Sequence, residues 1–154
     1  MYELKVITRF AAAHQLAMVG SKCENMHGHN WKIEVYVTGE KLNKAGVLVD
    51  FGEIKAHLAE VMKKLDHKFL NELDYFSDGN PSSENIAQFV AGELQAKIDN
   101  SSARVSRVAA WESDDACATY VVEWWFIGVS VSQLRYKTSE ASTIILVSGV
   151  RCQN

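Results

Sequence analysis

The strongest constraint on the fold is an alternating pattern in residues 27–38. From His27, every second position continues through His29 into apolar side chains: Trp31, Ile33, Val35 and Val37. The positions between them are mostly polar: Gly28, Asn30, Lys32, Glu34, Tyr36 and Thr38. Side chains two positions apart in a strand share a face. The pattern therefore predicts a half-buried strand over about residues 28–38, with both histidines on its apolar face.

A third histidine closes an earlier alternating run, which predicts a first strand over about residues 2–12. Leu4, Val6, Phe10, Ala12 and His14 share one parity in that run. Buried imidazoles need partners that offset their lost hydration, and one metal ion can serve several rings. We therefore predict a metal site formed by His14, His27 and His29.

The number of ligands decides what such a site can do. Three histidines leave the fourth position of a tetrahedral zinc ion open, which is typical of catalytic sites. Cys23 lies four residues before His27, and its thiolate is an alternative fourth ligand. Four protein ligands would make the site closed and structural, so both interpretations stay open at this point.

Two helices are predicted between the strands of the chain. Asp50 and Glu53 have the spacing of a capping box. Apolar side chains follow at helical spacing: Phe51, Ile54, Leu58, Val61, Met62 and Leu65. Pro81 precedes Ser82 and Ser83, either of which can cap a second helix. The apolar positions of that helix are Ile86, Phe89, Val90 and Leu94.

A hairpin is predicted after the second helix. Residues 104–112 and 116–123 alternate loosely around a polar turn. A sheet covered on one face by two helices is an α+β architecture. Bulky apolar residues begin at position 124 and are followed mostly by Ser, Thr and Val. We predict one domain over residues 1–123 and a C-terminal extension of unknown role over residues 124–154.

Composition and charge limit the cellular compartment and the classes of binding partner that we expect. The 154 residues carry a formal net charge of −3 and scattered basic side chains, which argues against nucleic-acid binding. No apolar stretch approaches the ~18 residues of a membrane helix, and the N-terminus lacks the features of a signal peptide. The three cysteines, Cys23, Cys117 and Cys152, do not form a disulfide framework. We expect a cytoplasmic protein without a membrane partner.

Two further sites carry carboxylates in informative positions. Asp66 directly precedes His67, and a carboxylate can orient an imidazole for proton transfer. Glu112 lies at a predicted strand end just before a turn, where it can face a pocket. Each is weak alone, because such dipeptides and exposed glutamates are common.

Taken together, these segments resemble the 6-pyruvoyl-tetrahydropterin synthase and 6-carboxytetrahydropterin synthase family over about residues 1–122. The matching segments, in family order, are Phe10–His14, Cys23–Asn30, Val49–Phe51, Leu65–His67, Leu70–Asn71, Asn80–Asn85 and Trp111–Glu112. The resemblance implies a T-fold, in which a four-stranded antiparallel sheet carries two helices. It also implies a homo-oligomer, a trimer or hexamer, with subunits joined into a barrel and active sites between subunits.

The resemblance assigns roles to the candidate residues. Its zinc ligands correspond to His14, His27 and His29, and its catalytic thiol, a general base rather than a ligand, corresponds to Cys23. The carboxylate–histidine pair of its proton relay corresponds to Asp66 and His67. The glutamate that anchors the pterin ring corresponds to Glu112.

The resemblance also implies a substrate, 7,8-dihydroneopterin triphosphate. The gap of three residues between Cys23 and His27 resembles the 6-carboxytetrahydropterin branch, which serves the 7-deazaguanine (queuosine) pathway and releases acetaldehyde and triphosphate. The sister 6-pyruvoyl branch, which eliminates triphosphate, is the alternative activity. A non-catalytic zinc-binding module, with Cys23 as fourth ligand, is the remote alternative.

Overall fold

Four strands and two helices account for most of the chain in this computed structural model, which describes residues 1–17, 20, 24–98 and 102–123. The strands are β1 (Tyr2–His14), β2 (His27–Gly39), β3 (Ala103–Trp111) and β4 (Cys117–Val121), and the helices are α1 (Phe51–Met62) and α2 (Ser83–Gln95). Both helices lie between β2 and β3 in the chain, as predicted. Cys23 and residues 124–154 lie outside the described residues, so the predictions made for them stay predictions.

The strands form one antiparallel sheet in the order β1-β2-β3-β4. Tyr2 pairs with Gly39 at one end of the first ladder, and His14 pairs with His27 at the other. The alternating pattern of β2 is confirmed, because Trp31, Ile33 and Val35 are fully buried. The sheet and its two helices confirm the predicted α+β class and the T-fold.

Both predicted helix caps are confirmed. The side chain of Asp50 accepts hydrogen bonds from the backbone N–H groups of Gly52 and Glu53, at 2.7 and 3.3 Å. Ser82 Oγ accepts from the Asn85 N–H at 3.3 Å. These bonds satisfy free donors in the first turns of α1 and α2, so each helix begins where its sequence indicates.

The prediction that Phe51 belongs to the buried apolar stripe of α1 is wrong. Phe51 is 47% exposed, whereas Ile54, Leu58 and Val61 are buried in the core. Phe51 lies in the first turn, beside the end of β1, where it lines an open apolar groove with the partly exposed Tyr2. Phe51 therefore faces this groove, and the buried side of the helix begins at Ile54.

The opposite face of the sheet is polar. Glu34 is buried there and contacts Lys5 Nζ at 3.0 Å, Lys32 Nζ at 3.4 Å and the Tyr36 hydroxyl at 3.0 Å. Burial alone would raise the pKa of Glu34, but the hydrogen bonds from Lys5 and Tyr36 outweigh it and lower that pKa. Lys32 also lies 3.9 Å above the Trp111 ring. This face is held by charged pairs and not by an apolar core.

The segment between the helices runs beside the outer edge of β1. The His67 N–H donates to the Ala11 carbonyl at 2.6 Å, and the Ala13 N–H donates to the Lys68 carbonyl at 3.0 Å. Two short 3₁₀ turns follow at Leu70–Glu72 and Asp74–Phe76. These contacts fix the position of the Asp66–His67 pair. None of the described helices is long and apolar enough to cross a membrane.

Candidate metal centre

Four side chains converge at the end of the sheet where β1 stops and β2 begins. His14, His27, His29 and Glu112 each offer one ligand atom, and these atoms lie within 4.8 Å of one another. Strand pairing sets His14 against His27, and alternation puts His29 on the same face of β2. Trp111 pairs with Lys32, and both side chains lie on the opposite face of the sheet. Glu112 follows Trp111, so its side chain lies on the same face as the histidines.

Backbone carbonyls fix which ring nitrogen of His14 and of His27 carries a hydrogen. His14 Nδ1 lies 2.8 Å from the Pro81 carbonyl, and His27 Nδ1 lies 2.7 Å from the Asn25 carbonyl. Because a carbonyl only accepts, each Nδ1 carries the hydrogen, and a neutral ring then presents a lone pair at Nε2. The two Nε2 atoms are 3.1 Å apart. Two lone pairs at that distance require a cation, either a proton or a metal ion.

The third ring has a buried nitrogen without a hydrogen bond. His29 Nε2 lies 3.0 Å from Glu112 Oε1, but the geometry is not that of a hydrogen bond, and this nitrogen has no hydrogen-bond partner among the described residues. Desolvation lowers the pKa of His29, the charges of His14 and His27 lower it further, and Glu112 opposes the shift. A ring with a lowered pKa and a buried Nε2 that has no hydrogen-bond partner among the described residues is suited to ligate a metal.

The floor of the site is apolar. The Trp31 ring lies edge-on to His14 and His29, with ring centroids 5.2 and 5.4 Å apart. Both Trp31 and His14 are fully buried. A water-poor floor strengthens electrostatic interactions inside the site. These residues therefore fit a divalent metal ion, and three imidazoles with one carboxylate suit metals of the zinc type.

Several groups that hold the site were missed by the sequence analysis. Pro81 and Asn25 contribute only their carbonyls, and Ser83 Oγ donates to Glu112 Oε2 at 3.3 Å. Ser83 had been considered only as a helix cap. A carbonyl carries no residue-type signal, so no pattern in the sequence identifies these partners.

Asp66 and His67 form a separate, exposed pair. His67 Nδ1 lies 2.9 Å from Asp66 Oδ2, and Asp66 Oδ1 accepts from the Ala11 N–H at 2.9 Å. The backbone bond to Ala11 and the contact with His67 lower the pKa of Asp66. His67 is 83% exposed and has a φ of +55°, a strained value for a residue with a Cβ. Such strain often marks functional positions.

Within one chain, the described residues do not gather all of the predicted site. The three histidines and Glu112 converge, whereas Asp66 and His67 lie outside that cluster. Asp66 bonds the backbone of Ala11 at the outer edge of β1, while the side chain of His14 is buried on the core face. Cys23 lies outside the described residues, and the roles assigned to all these side chains stay predictions.

Comparison with known proteins assigns the chain to one family. The sequence model of the family described as 6-pyruvoyl tetrahydropterin synthase matches residues 3–123. The chain belongs to that family.

Its relatives carry out more than one reaction. A 6-carboxy-5,6,7,8-tetrahydropterin synthase of Synechocystis is 38% identical over 91 residues, which cover 56% of this chain and 69% of the relative. A dihydroneopterin monophosphate aldolase of Pyrococcus furiosus is 32% identical over 106 residues, 69% of this chain and 85% of the relative. Sequence identity at this level shows the family without fixing the product.

A solved structure of the family agrees with the fold. The structure of Caenorhabditis elegans 6-pyruvoyl tetrahydropterin synthase superposes with a TM-score of 0.71 at 25% sequence identity. The match covers 79% of this chain and 96% of the C. elegans chain. The T-fold domain of this family member is thus nearly coextensive with that whole chain.

Proposed function

We propose that this family member is a zinc-dependent lyase that converts 7,8-dihydroneopterin triphosphate and water into 6-carboxy-5,6,7,8-tetrahydropterin, acetaldehyde and triphosphate. The reaction would serve 7-deazaguanine (queuosine) biosynthesis. We further propose a cytoplasmic location, where reducing conditions would keep Cys23 a thiol.

The observation that carries the proposal is the arrangement of the three imidazoles. His14 and His27 hold their Nδ1 hydrogens on backbone carbonyls, so that both Nε2 lone pairs face each other. His29 Nε2 is buried beside them, and no described residue forms a hydrogen bond with it. A family whose relatives include a 6-carboxytetrahydropterin synthase, and the short gap between Cys23 and His27, favour the carboxy product.

In the proposed mechanism, His14, His27 and His29 hold the zinc ion. The bound ion supplies Lewis-acid chemistry, which lowers the pKa of substrate hydroxyls and stabilises developing negative charge. The carbonyls of Pro81 and Asn25 orient the rings through Nδ1 and so fix which nitrogen faces the ion.

Proton transfer is assigned to Cys23 and His67. The Cys23 thiolate would remove a proton from the substrate side chain, and nearby positive charge favours a thiolate at neutral pH. His67 would accept and return protons as the side chain rearranges. Asp66 binds Nδ1 of that ring at 2.9 Å, which leaves Nε2 to exchange protons with substrate.

The exposed position of His67 supports an active site shared between subunits. In one chain, Asp66 and His67 lie at the outer edge of β1 and outside the metal cluster. We propose that a trimer or hexamer brings this pair from one subunit to the metal cluster of another. Glu112 would bind the pterin ring through its carboxylate and align the reacting carbons.

A product assay tests the proposal. Zinc-loaded protein is incubated with 7,8-dihydroneopterin triphosphate, and products are identified by mass spectrometry. We expect 6-carboxytetrahydropterin and acetaldehyde from wild type, and no turnover from Cys23→Ala with zinc retained. Cys117→Ala is the matched control, because Cys117 is an exposed free thiol. A 6-pyruvoyl product would assign the chain to the sister activity, and unchanged turnover in Cys23→Ala would refute the role of that thiol.

One contact favours a second candidate, a non-catalytic zinc module. Glu112 Oε1 lies 3.0 Å from His29 Nε2, close enough for its carboxylate to serve as a fourth ligand in place of Cys23. X-ray absorption at the zinc edge tests the thiolate form of this candidate, since a sulfur ligand scatters near ~2.3 Å. Metal-replete protein that forms no product would favour the module.

A further inference from the structure

Two asparagines lie in segments that match the family but have no assigned chemistry. Asn71 lies in the 3₁₀ turn after His67, and Asn80 precedes Pro81. Both are half-buried. Each binds the backbone of one residue just beyond the end of β1.

Each asparagine satisfies both backbone groups of its partner residue. Asn71 Oδ1 accepts from the Gln15 N–H at 2.9 Å, and Asn71 Nδ2 donates to the Gln15 carbonyl at 2.8 Å. Asn80 does the same for Ala17, at 2.7 and 2.9 Å. A carboxamide has the donor and acceptor of a peptide group. The two side chains therefore imitate the paired bonds that residues exchange across an antiparallel ladder.

We call each of these pairs of hydrogen bonds an amide clamp. The clamped residues directly follow the metal ligand His14 in the chain. His14 is the last residue of β1 and the last to pair with β2, so among the described residues the ladder between the two strands ends at His14. The clamped residues, Gln15 and Ala17, lie one and three positions after it. The asparagine side chains thus supply hydrogen bonds to the backbone just beyond the last strand pair that the structure describes.

The clamp at Asn80 and the orientation of His14 share one segment. The Pro81 carbonyl accepts from the His14 ring, and the Asn80 carbonyl accepts from Asn85 Nδ2 of α2 at 2.7 Å. Asn80 thus joins the backbone beyond His14 to the segment that holds the His14 ring. Any movement of residues 80–81 would shift both together.

A further bond connects the clamped segment to the second ligand. Gln15 Nε2 donates to the Glu24 carbonyl at 2.7 Å, and the next carbonyl, that of Asn25, accepts from the His27 ring. The backbone held by Asn71 is thereby linked to the approach to His27.

We propose that Asn71 and Asn80 are positioning residues of the metal site, whose amide clamps set the separation of His14 and His27. The inference rests on the proposed zinc function. Partners outside the ligand set hold ligands at the required geometry, and their loss typically weakens metal binding by about 10–100-fold.

The test replaces each amide with a carboxylate of the same shape. Asn71→Asp and Asn80→Asp lose the Nδ2 donor and place an oxygen against a backbone carbonyl. Asn43→Asp is the matched control, because the side chain of Asn43 accepts through Oδ1 from the N–H groups of Ala45 and Val47, and a carboxylate can keep both bonds. All variants are made in the full chain.

Two measurements are made on each variant. Chelator competition gives the zinc dissociation constant, which we expect to rise about 10–100-fold in Asn71→Asp and Asn80→Asp and to stay within about twofold in the control. Hydrogen exchange with mass spectrometry reports the amides of Gln15 and Ala17, which should exchange faster in the matching variant. Asn71→Ser and Asn80→Ser remove the clamps without adding charge if an aspartate variant fails to fold.

The outcomes separate this inference from the proposed function. Faster amide exchange with unchanged zinc affinity would show clamps that do not position the ligands and would overturn the inference. Unchanged exchange would show that the clamps do not hold in solution and would overturn it too. Wild-type protein that binds no zinc would refute the proposed function, and with it this inference, before any variant is compared.

Discussion

His14 and His67 are the same residue type in opposite environments. His14 is fully buried, and its Nδ1 donates to a neutral carbonyl. His67 is 83% exposed, and its Nδ1 lies against the Asp66 carboxylate. A ring that donates its Nδ1 hydrogen to a carbonyl can present the Nε2 lone pair to a metal ion, whereas a carboxylate at Nδ1 orients a ring for proton transfer. The partner at Nδ1 therefore suits His14 to bind a metal and His67 to carry a proton.

We expect the largest effect from a variant that removes one imidazole ring from the metal cluster. His29→Ala takes away a buried nitrogen without a hydrogen bond, and we expect zinc affinity to fall by more than about 100-fold. Chelator competition and metal analysis measure the loss. His57→Ala is the control, because His57 lies on α1 away from the cluster. Full zinc retention in His29→Ala would contradict the ligand set.

The second prediction concerns the exposed pair. His67→Gln removes a proton carrier but no ligand, so turnover should fall by about 10²–10⁴-fold while zinc content stays at the wild-type level. The product assay and metal analysis are made on the same preparation. Loss of zinc in this variant would mean that the two regions are not separate in function.

The third prediction concerns the N-terminal cap of α2, the helix that follows Pro81. Ser82→Ala removes the cap of α2 next to Pro81, and we expect a cost of about 1 kcal/mol in the free energy of unfolding with weaker zinc binding. Asp50→Ala removes the equivalent cap of α1 at a similar cost. Denaturant unfolding and chelator competition compare the two. Equal zinc affinities in both variants would show that the cap of α2 does not support His14.

The smallest expected effect concerns Asp66, whose carboxyl is partly exposed. Its folded-state pKa is lowered by the Ala11 N–H and by His67, so the ionised form stabilises the fold. This contribution is complete above the ordinary pKa of 3.8 and is lost as the pH falls through the lower folded-state pKa. Asp66→Asn should therefore melt below wild type at neutral pH, and the difference should shrink in acid.

Melting curves between neutral pH and pH about 3 follow that difference. Asp114→Asn is the control, because Asp114 lies exposed in the turn between β3 and β4. A difference that grows toward acid pH would reverse the expected sign and refute the assigned stabilisation.

Much of the fold was predictable because its signals are local. The alternation of β2, the spacing of α1 and the caps at Asp50 and Ser82 each depend on a few consecutive residues. The first strand runs two residues further than predicted and includes His14, because its pairing with His27 extends the ladder. Phe51 was misplaced because helical spacing cannot show which positions of the first turn the rest of the fold covers.

The candidate site also combines local contacts, which the sequence predicts, with long-range contacts, which it does not. The sequence alone determined that His27 and His29 share a face and that Asp66 adjoins His67, because neighbours in the chain obey strand and turn geometry. Tertiary structure decided that the Pro81 carbonyl meets the His14 ring, that Glu112 contacts His29 and that Asn71 clamps Gln15. Such partners lie as many as 83 positions apart in the chain, as for His29 and Glu112. Strand pairing and the packing of the segments between the strands bring these partners together.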